Sequence, residues 1–122
     1  MNTTSHIRIL LLEIGIPANL LGFTYIIYAI QLALENVEYN YRMTKELYIE
    51  VAQRFGASRQ NVERSMRNAI AIAIEYGKPD FIEQIFGNSI NPKKGVPTNS
   101  QFITSVCLYM IEQQLLEYDI DH

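Results

Sequence analysis

Between Ser58 and Arg67 the run SRQNVERSMR sets Arg59, Arg64 and Arg67 among Ser58, Gln60 and Glu63. These are side chains of the kinds that meet nucleic acid. A guanidinium donates two parallel bonds to guanine O6 and N7, and a carboxylate accepts from cytosine N4. Short polar side chains at a helix start reach phosphate, which positions a protein without specifying sequence. Other chemistry finds little to work with. His6, Cys107 and His122 are dispersed along the chain, and no glycine-rich phosphate loop, metal-ligand spacing or nucleophile elbow occurs. Glu35 and Glu38 fall on a helix flank where solvation accounts for them. The expectation is a protein that is no enzyme, with no cofactor and no metal site. The single cysteine excludes an internal disulfide and a cysteine zinc site. It sits between Val106 and Leu108 as a small buried hydrophobe.

Two helices around a turn position the polar run. Val51, Ala52 and Phe55 form an apolar face on the first, and Ala52 is small enough for a close crossing. Gly56 stops that helix, because glycine takes the left-handed conformation without a Cβ clash. Ser58 is the N-cap of the second helix. Val62, Met66, Ala69, Ile70 and Ala73 continue that helix at 3–4 spacing. The outward residues are then Ser58, Arg59, Gln60, Glu63, Arg64 and Arg67. This is the pattern of a helix-turn-helix, whose second helix presents its N-terminal part to the major groove. An ordinary antiparallel helix pair has a similar outline, so local charge discriminates. Residues 42–78 hold seven basic and four acidic side chains, a surplus of +3 within a chain of net charge −3, which leaves −6 elsewhere. A basic island in an acidic chain suits phosphate binding.

The chain's 122 residues suffice for one domain, 1–122, with one core. A hydrophobic fraction of 48% and a charged fraction of 19% are those of a globular protein. Leu20–Leu34 is nearly continuous apolar sequence but falls short of the roughly 20 residues that span a bilayer. No signal peptide, repeat or low-complexity segment is evident. A reducing cytoplasm is expected, without membrane association.

In chain order, Thr3, Thr4 or Ser5 caps a helix over 6–14 that Gly15 and Pro17 end. His6 reads as surface. A central helix over 19–38 carries the stripe Leu20, Phe23, Ile27, Ile30, Leu34 and Val37, widened by Ile26 and Ala33. Tyr25, Tyr28, Tyr39 and Tyr41 are expected to bury their rings rather than form a base-stacking platform. Thr44 caps the first helix of the helix-turn-helix, and the second spans 59–76 up to Gly77. A short helix over 80–86 follows Pro79, with Phe81, Ile82, Ile85 and Phe86 inward. The loop over 88–97 carries Lys93 and Lys94 at its tip, placed to touch phosphate. A capping box, Thr98-x-x-Gln101, opens the last helix. Its inner face is Phe102, Val106, Tyr109 and Met110, with Ile103 marginal and Leu115 and Leu116 extending it. The fold class expected is all-α, six helices including a helix-turn-helix.

These residues resemble the C-terminal DNA-binding effector domain of the sporulation master response regulator of endospore-forming bacteria. The matching segments include Glu13-Ile-Gly-Ile-Pro-Ala18, Thr44-Lys-x-Leu-Tyr48, Val62-Glu-Arg64 with Arg67, and Pro97-Thr-Asn-Ser100 with Phe102-Ile103. They cover about residues 10 to 110 in the family's order. The resemblance implies double-stranded DNA as partner, bound at a box with a TGTCGAA-like core. The base readers fall on Glu63, Arg64 and Arg67, while Ser58, Arg59 and Gln60 are better placed for phosphates. It further implies head-to-tail homodimers on tandem boxes, partly through the last helix, and admits the sigma subunit of RNA polymerase as a partner. Asn61, Leu21 and Asn68 stand where the family usually carries Arg, Lys and His, so the helix-turn-helix is less basic, and the pI is about 5.3. The family joins this domain to a phosphorylated receiver, and with so few residues ahead of the domain such a receiver is not expected to be the switch here. A rival reading is a stand-alone interaction module that pairs with a full-length regulator as a heterodimer and antagonises it.

Overall fold

The computed structural model describes residues 2–36, 45–87 and 95–121, with side chains described as far as residue 116. They form six helices: α1 Thr3–Ile14, α2 Leu21–Glu35, α3 Lys45–Phe55, α4 Arg59–Tyr76, α5 Pro79–Phe86 and α6 Asn99–Asp121. No described residue lies in a strand, so the fold is all-α. None of the described helices is long and apolar enough to cross a membrane.

Helix α1 starts earlier than its sequence suggests. Asn2 caps it, with Oδ1 accepting from the Ser5 N–H at 2.8 Å, so Thr3, Thr4 and Ser5 lie inside the first turn. Ile7, Leu11 and Ile14 are buried on its inner face. Gly15 ends it at φ 116°, where the N–H groups of Gly15 and Ile16 both donate to the Leu11 carbonyl.

Helix α2 is the centre of the molecule, packing on α1, α3, α4 and α6. Its innermost face is Ile26, Ala29, Ile30 and Ala33, all fully buried, joined by Phe23. Ile27 and Leu34, expected on the stripe's midline, are only partly buried. The buried face is rotated because small residues let neighbouring helices come closest there. Gly22 is the extreme case: a Cβ built on it would run into the Ser65 carbonyl oxygen and the Ala69 methyl of α4. The helix ends at Glu35, with Asn36 extended at φ −134° and ψ 106°, short of the expected residue 38.

Leu47, Val51 and Ala52 of α3 face the core. Phe55 stays partly exposed yet packs its ring against Tyr25 at 5.4 Å and edge-on against Tyr28 at 5.7 Å. Those two tyrosines are thereby used in packing, as expected. Tyr39, Tyr41 and Thr44 lie outside the described residues.

Pro79 occupies the first turn of α5, where its missing N–H costs nothing. Phe86 then meets Phe102 of α6 with ring centroids 5.3 Å apart. The capping box forms: the Thr98 N–H donates to Gln101 Oε1 at 2.9 Å, and the Gln101 N–H donates to Thr98 Oγ1 at 3.0 Å. Phe102, Ile103, Val106 and Cys107 are buried, so Ile103 belongs to the inner face rather than its margin. Leu115 and Leu116 do not extend that face. They are 60% and 55% exposed, because no described apolar side chain beyond Met110 packs on the core.

Candidate nucleic-acid interface

The junction of α3 and α4 is built as its residues dictate. Gly56 adopts φ 64°. With the chain so turned, the Ala57 N–H reaches back to the Ala52 carbonyl at 2.9 Å, closing the end of α3. Ser58 is extended at φ −84° and ψ 155°, and its Oγ accepts from the Asn61 N–H at 3.1 Å. Its own carbonyl takes the Val62 N–H at 3.0 Å and starts α4.

Buried Val62, Met66, Ala69, Ile70 and Ala73 hold α4 against the core. That fixes the helix's rotation, and Gln60, Glu63, Arg64 and Arg67 are left on its exposed side. Ser58 is exposed at the helix start beside them, while Arg59 is half-buried. Six of the eight residues expected to face nucleic acid are therefore together. Lys93 and Lys94 lie outside the described residues.

Both arginines of the outer face have side-chain partners on their own helix. Arg64 Nη2 donates to Asn61 Oδ1 at 2.8 Å. Arg67 Nη1 lies 3.7 Å from Glu63 Oε1, an exposed i,i+4 pair of the weak kind. By sequence Asn61 is only a departure from the basic residue that the resemblance implies. The structure makes it the acceptor for Arg64, a contact whose sequence signal is the three-residue spacing.

Beneath this face lies a residue that sequence reasoning did not single out. Asn99, the first residue of α6, is 8% exposed and is the sole buried polar side chain among the described residues. Its Nδ2 donates to the Glu63 backbone carbonyl at 3.1 Å and to the Tyr48 hydroxyl at 3.3 Å. The first residue of α6 thus joins both helices of the motif. Burial pushes the Tyr48 hydroxyl above its usual range; the Asn99 hydrogen bond opposes that shift, Glu63 adds to it and Arg67 counters. No local spacing could have revealed a contact that spans 36 residues to Glu63 and 51 to Tyr48.

Chemically, the outer face of α4 offers hydrogen-bond donors and one carboxylate, fixed in rotation by a buried apolar seam. Among the described residues no three His, Cys, Asp or Glu side chains gather as a metal-ligand set. A family model described as "Sporulation initiation factor Spo0A C terminal" matches residues 7–110, which takes in all of α2 through α5 and the first half of α6.

Proposed function

The chain belongs to the Spo0A C-terminal family, that of a DNA-binding transcription regulator of sporulation, and from that premise we propose how it reads DNA. Helix α4 enters the major groove of a box with a TGTCGAA-like core. Arg64 and Arg67 donate to guanine edges and Glu63 accepts from cytosine. Ser58, Arg59 and Gln60, at the helix start, contact phosphate, and Lys93 and Lys94, from the stretch of chain before α6, add backbone contacts. Two copies bind head to tail on adjacent boxes in the cytoplasm, where RNA polymerase and its sigma subunit are within reach.

One observation supports this above the rest: Glu63, Arg64 and Arg67 share the exposed side of a helix whose opposite side is locked into the core by Val62 and Met66. A helix so fixed offers its polar side chains in one orientation. A gel-shift titration with a TGTCGAA-containing duplex and a scrambled duplex, at one stated salt concentration, tests the reading. Preferential binding of the first supports it, and equal binding of both overturns it.

A second reading has its own support. Leu108, Ile111 and Leu115 recur at three- and four-residue spacing on α6 and are 50%, 38% and 60% exposed. Ile111 shares an open groove with Ile9 and Leu10 of α1. An apolar rim of this kind suits a protein partner. In this reading the chain pairs with a full-length regulator and antagonises it, and co-purification with that regulator in the absence of DNA is the result expected.

A further inference from the structure

The Asn99 amide is matched at one end only. Nδ2 serves Glu63 and Tyr48 as described, whereas Oδ1 is buried with no hydrogen-bond partner. A buried acceptor without a partner is unfavourable, and native proteins hold few of them. The unmatched oxygen is a cost that the two Nδ2 hydrogen bonds offset. What the amide does supply is a donor aimed at one carbonyl of α4, and that carbonyl belongs to Glu63, immediately before Arg64.

We propose that Asn99 is a positioning residue for DNA readout: its Nδ2 pins the Glu63 backbone and so sets the register at which Glu63, Arg64 and Arg67 meet the groove floor. This rests on the DNA reading given above. Buried Val62 and Met66 fix the rotation of α4, but apolar contacts are non-directional and tolerate small slides along the helix axis. A hydrogen bond is directional and resists such a slide. Tyr48 completes the arrangement from α3: its hydroxyl accepts from the same Nδ2 and keeps the amide plane turned toward Glu63. The base-reading helix is thereby tied to α3 and α6 at one atom. Bidentate recognition of a base edge needs geometry held to a fraction of an ångström, whereas phosphate contacts by flexible side chains do not. Loss of Asn99 should therefore be felt in specificity rather than in overall affinity.

The test compares wild type with Asn99→Ala on the preferred and scrambled duplexes at one salt concentration, with thermal melts to establish folding. The expected result is a fall of about two- to tenfold in the ratio of specific to non-specific affinity, the size of one lost hydrogen bond, with binding to the scrambled duplex within about twofold. Asn99→Leu keeps about the side-chain volume, removes the donor without burying a charge and should behave alike. A specific wild type whose ratio survives in either folded variant overturns the proposal. Unfolding of both variants also overturns it, by assigning Asn99 to stability. A wild type with no preference removes the DNA reading itself, and that outcome is read from the wild-type titration before any variant is made.

Discussion

Arg64 Nη2 donates to Asn61 Oδ1 at 2.8 Å, one helical turn toward the start of α4. The guanidinium is drawn along the helix toward its N-terminal end, the part that enters the groove in a helix-turn-helix. Asn61 thus gives Arg64 a local acceptor where an arginine, the residue the resemblance implies here, would add a positive charge. Charge and side-chain order are exchanged at a single position, and separate measurements resolve the two.

Asn61→Arg should tighten binding to preferred and scrambled duplexes alike. Each phosphate newly neutralised steepens the plot of log affinity against log salt by about 0.9. Binding isotherms at several salt concentrations check this. A gain confined to the preferred duplex would place residue 61 at a base instead.

Arg64→Ala is expected to lose about 1–3 kcal/mol on the preferred box and little on scrambled DNA, the discrimination carried by one bidentate guanine contact. Arg59→Ala should weaken both by similar factors. Because Arg59 is half-buried, its variant is checked by thermal melting before its isotherms are read. Retained specificity in Arg64→Ala would mean that another face of α4 reads the bases.

Replacing Lys93 and Lys94 together with alanine should reduce affinity for every duplex about equally and lower the salt slope by up to about 1.8, twice the value for one phosphate contact. Paired titrations over a salt series decide it. A loss limited to the preferred sequence would show that these lysines read bases.

Gly22→Ala should destabilise the domain by about 1–3 kcal/mol, the range for forcing extra atoms into a packed contact. The Ser65 carbonyl that its Cβ would strike is backbone of α4 and must shift. Ile30→Ala leaves a cavity instead and should cost about 2–5 kcal/mol. Urea unfolding measures both. Gly22→Ala should also erode DNA specificity, since Ser65 adjoins Arg64, whereas Ile30→Ala should do so far less.

Burial pushes the Cys107 thiol from 9.0 up to about 12. In the unfolded chain the thiol ionises near its ordinary value, so the folded state holds the proton over the window between the two. Its contribution is fully present below about pH 9 and is lost as pH rises toward about 12, at about 1.4 kcal/mol per pH unit. Tyr48, also raised, acts in the same direction above its ordinary 10.0. Urea unfolding of wild type and Cys107→Ala at several alkaline pH values checks this. The wild-type curve should fall more steeply, and parallel curves would show the thiol to be solvated.

Much of this molecule could be read from local order along the chain. Gly15, Gly56 and Gly77 end helices where the sequence places them, Ser58 caps α4, and Thr98 with Gln101 forms its box, because capping depends on residues within one turn. The apolar spacing of Val62, Met66, Ala69 and Ala73 likewise settles which side of α4 is buried, and with it the side left to Glu63, Arg64 and Arg67. These depend on helical periodicity alone.

What tertiary structure decided involves the neighbours that each face meets. The innermost face of α2 falls on Ile26, Ala29, Ile30 and Ala33 because Gly22 lets α4 approach there, and no stripe on one helix reveals where another will cross it. Leu115 and Leu116 continue the apolar spacing of α6 but have no core to enter, so they stay exposed. Asn99 occupies an ordinary first-turn position by sequence. It becomes the tie between α3, α4 and α6 only when folding brings Tyr48 and the Glu63 carbonyl to its Nδ2. Periodicity determines which residues turn inward, and chain closure over tens of residues determines what they find.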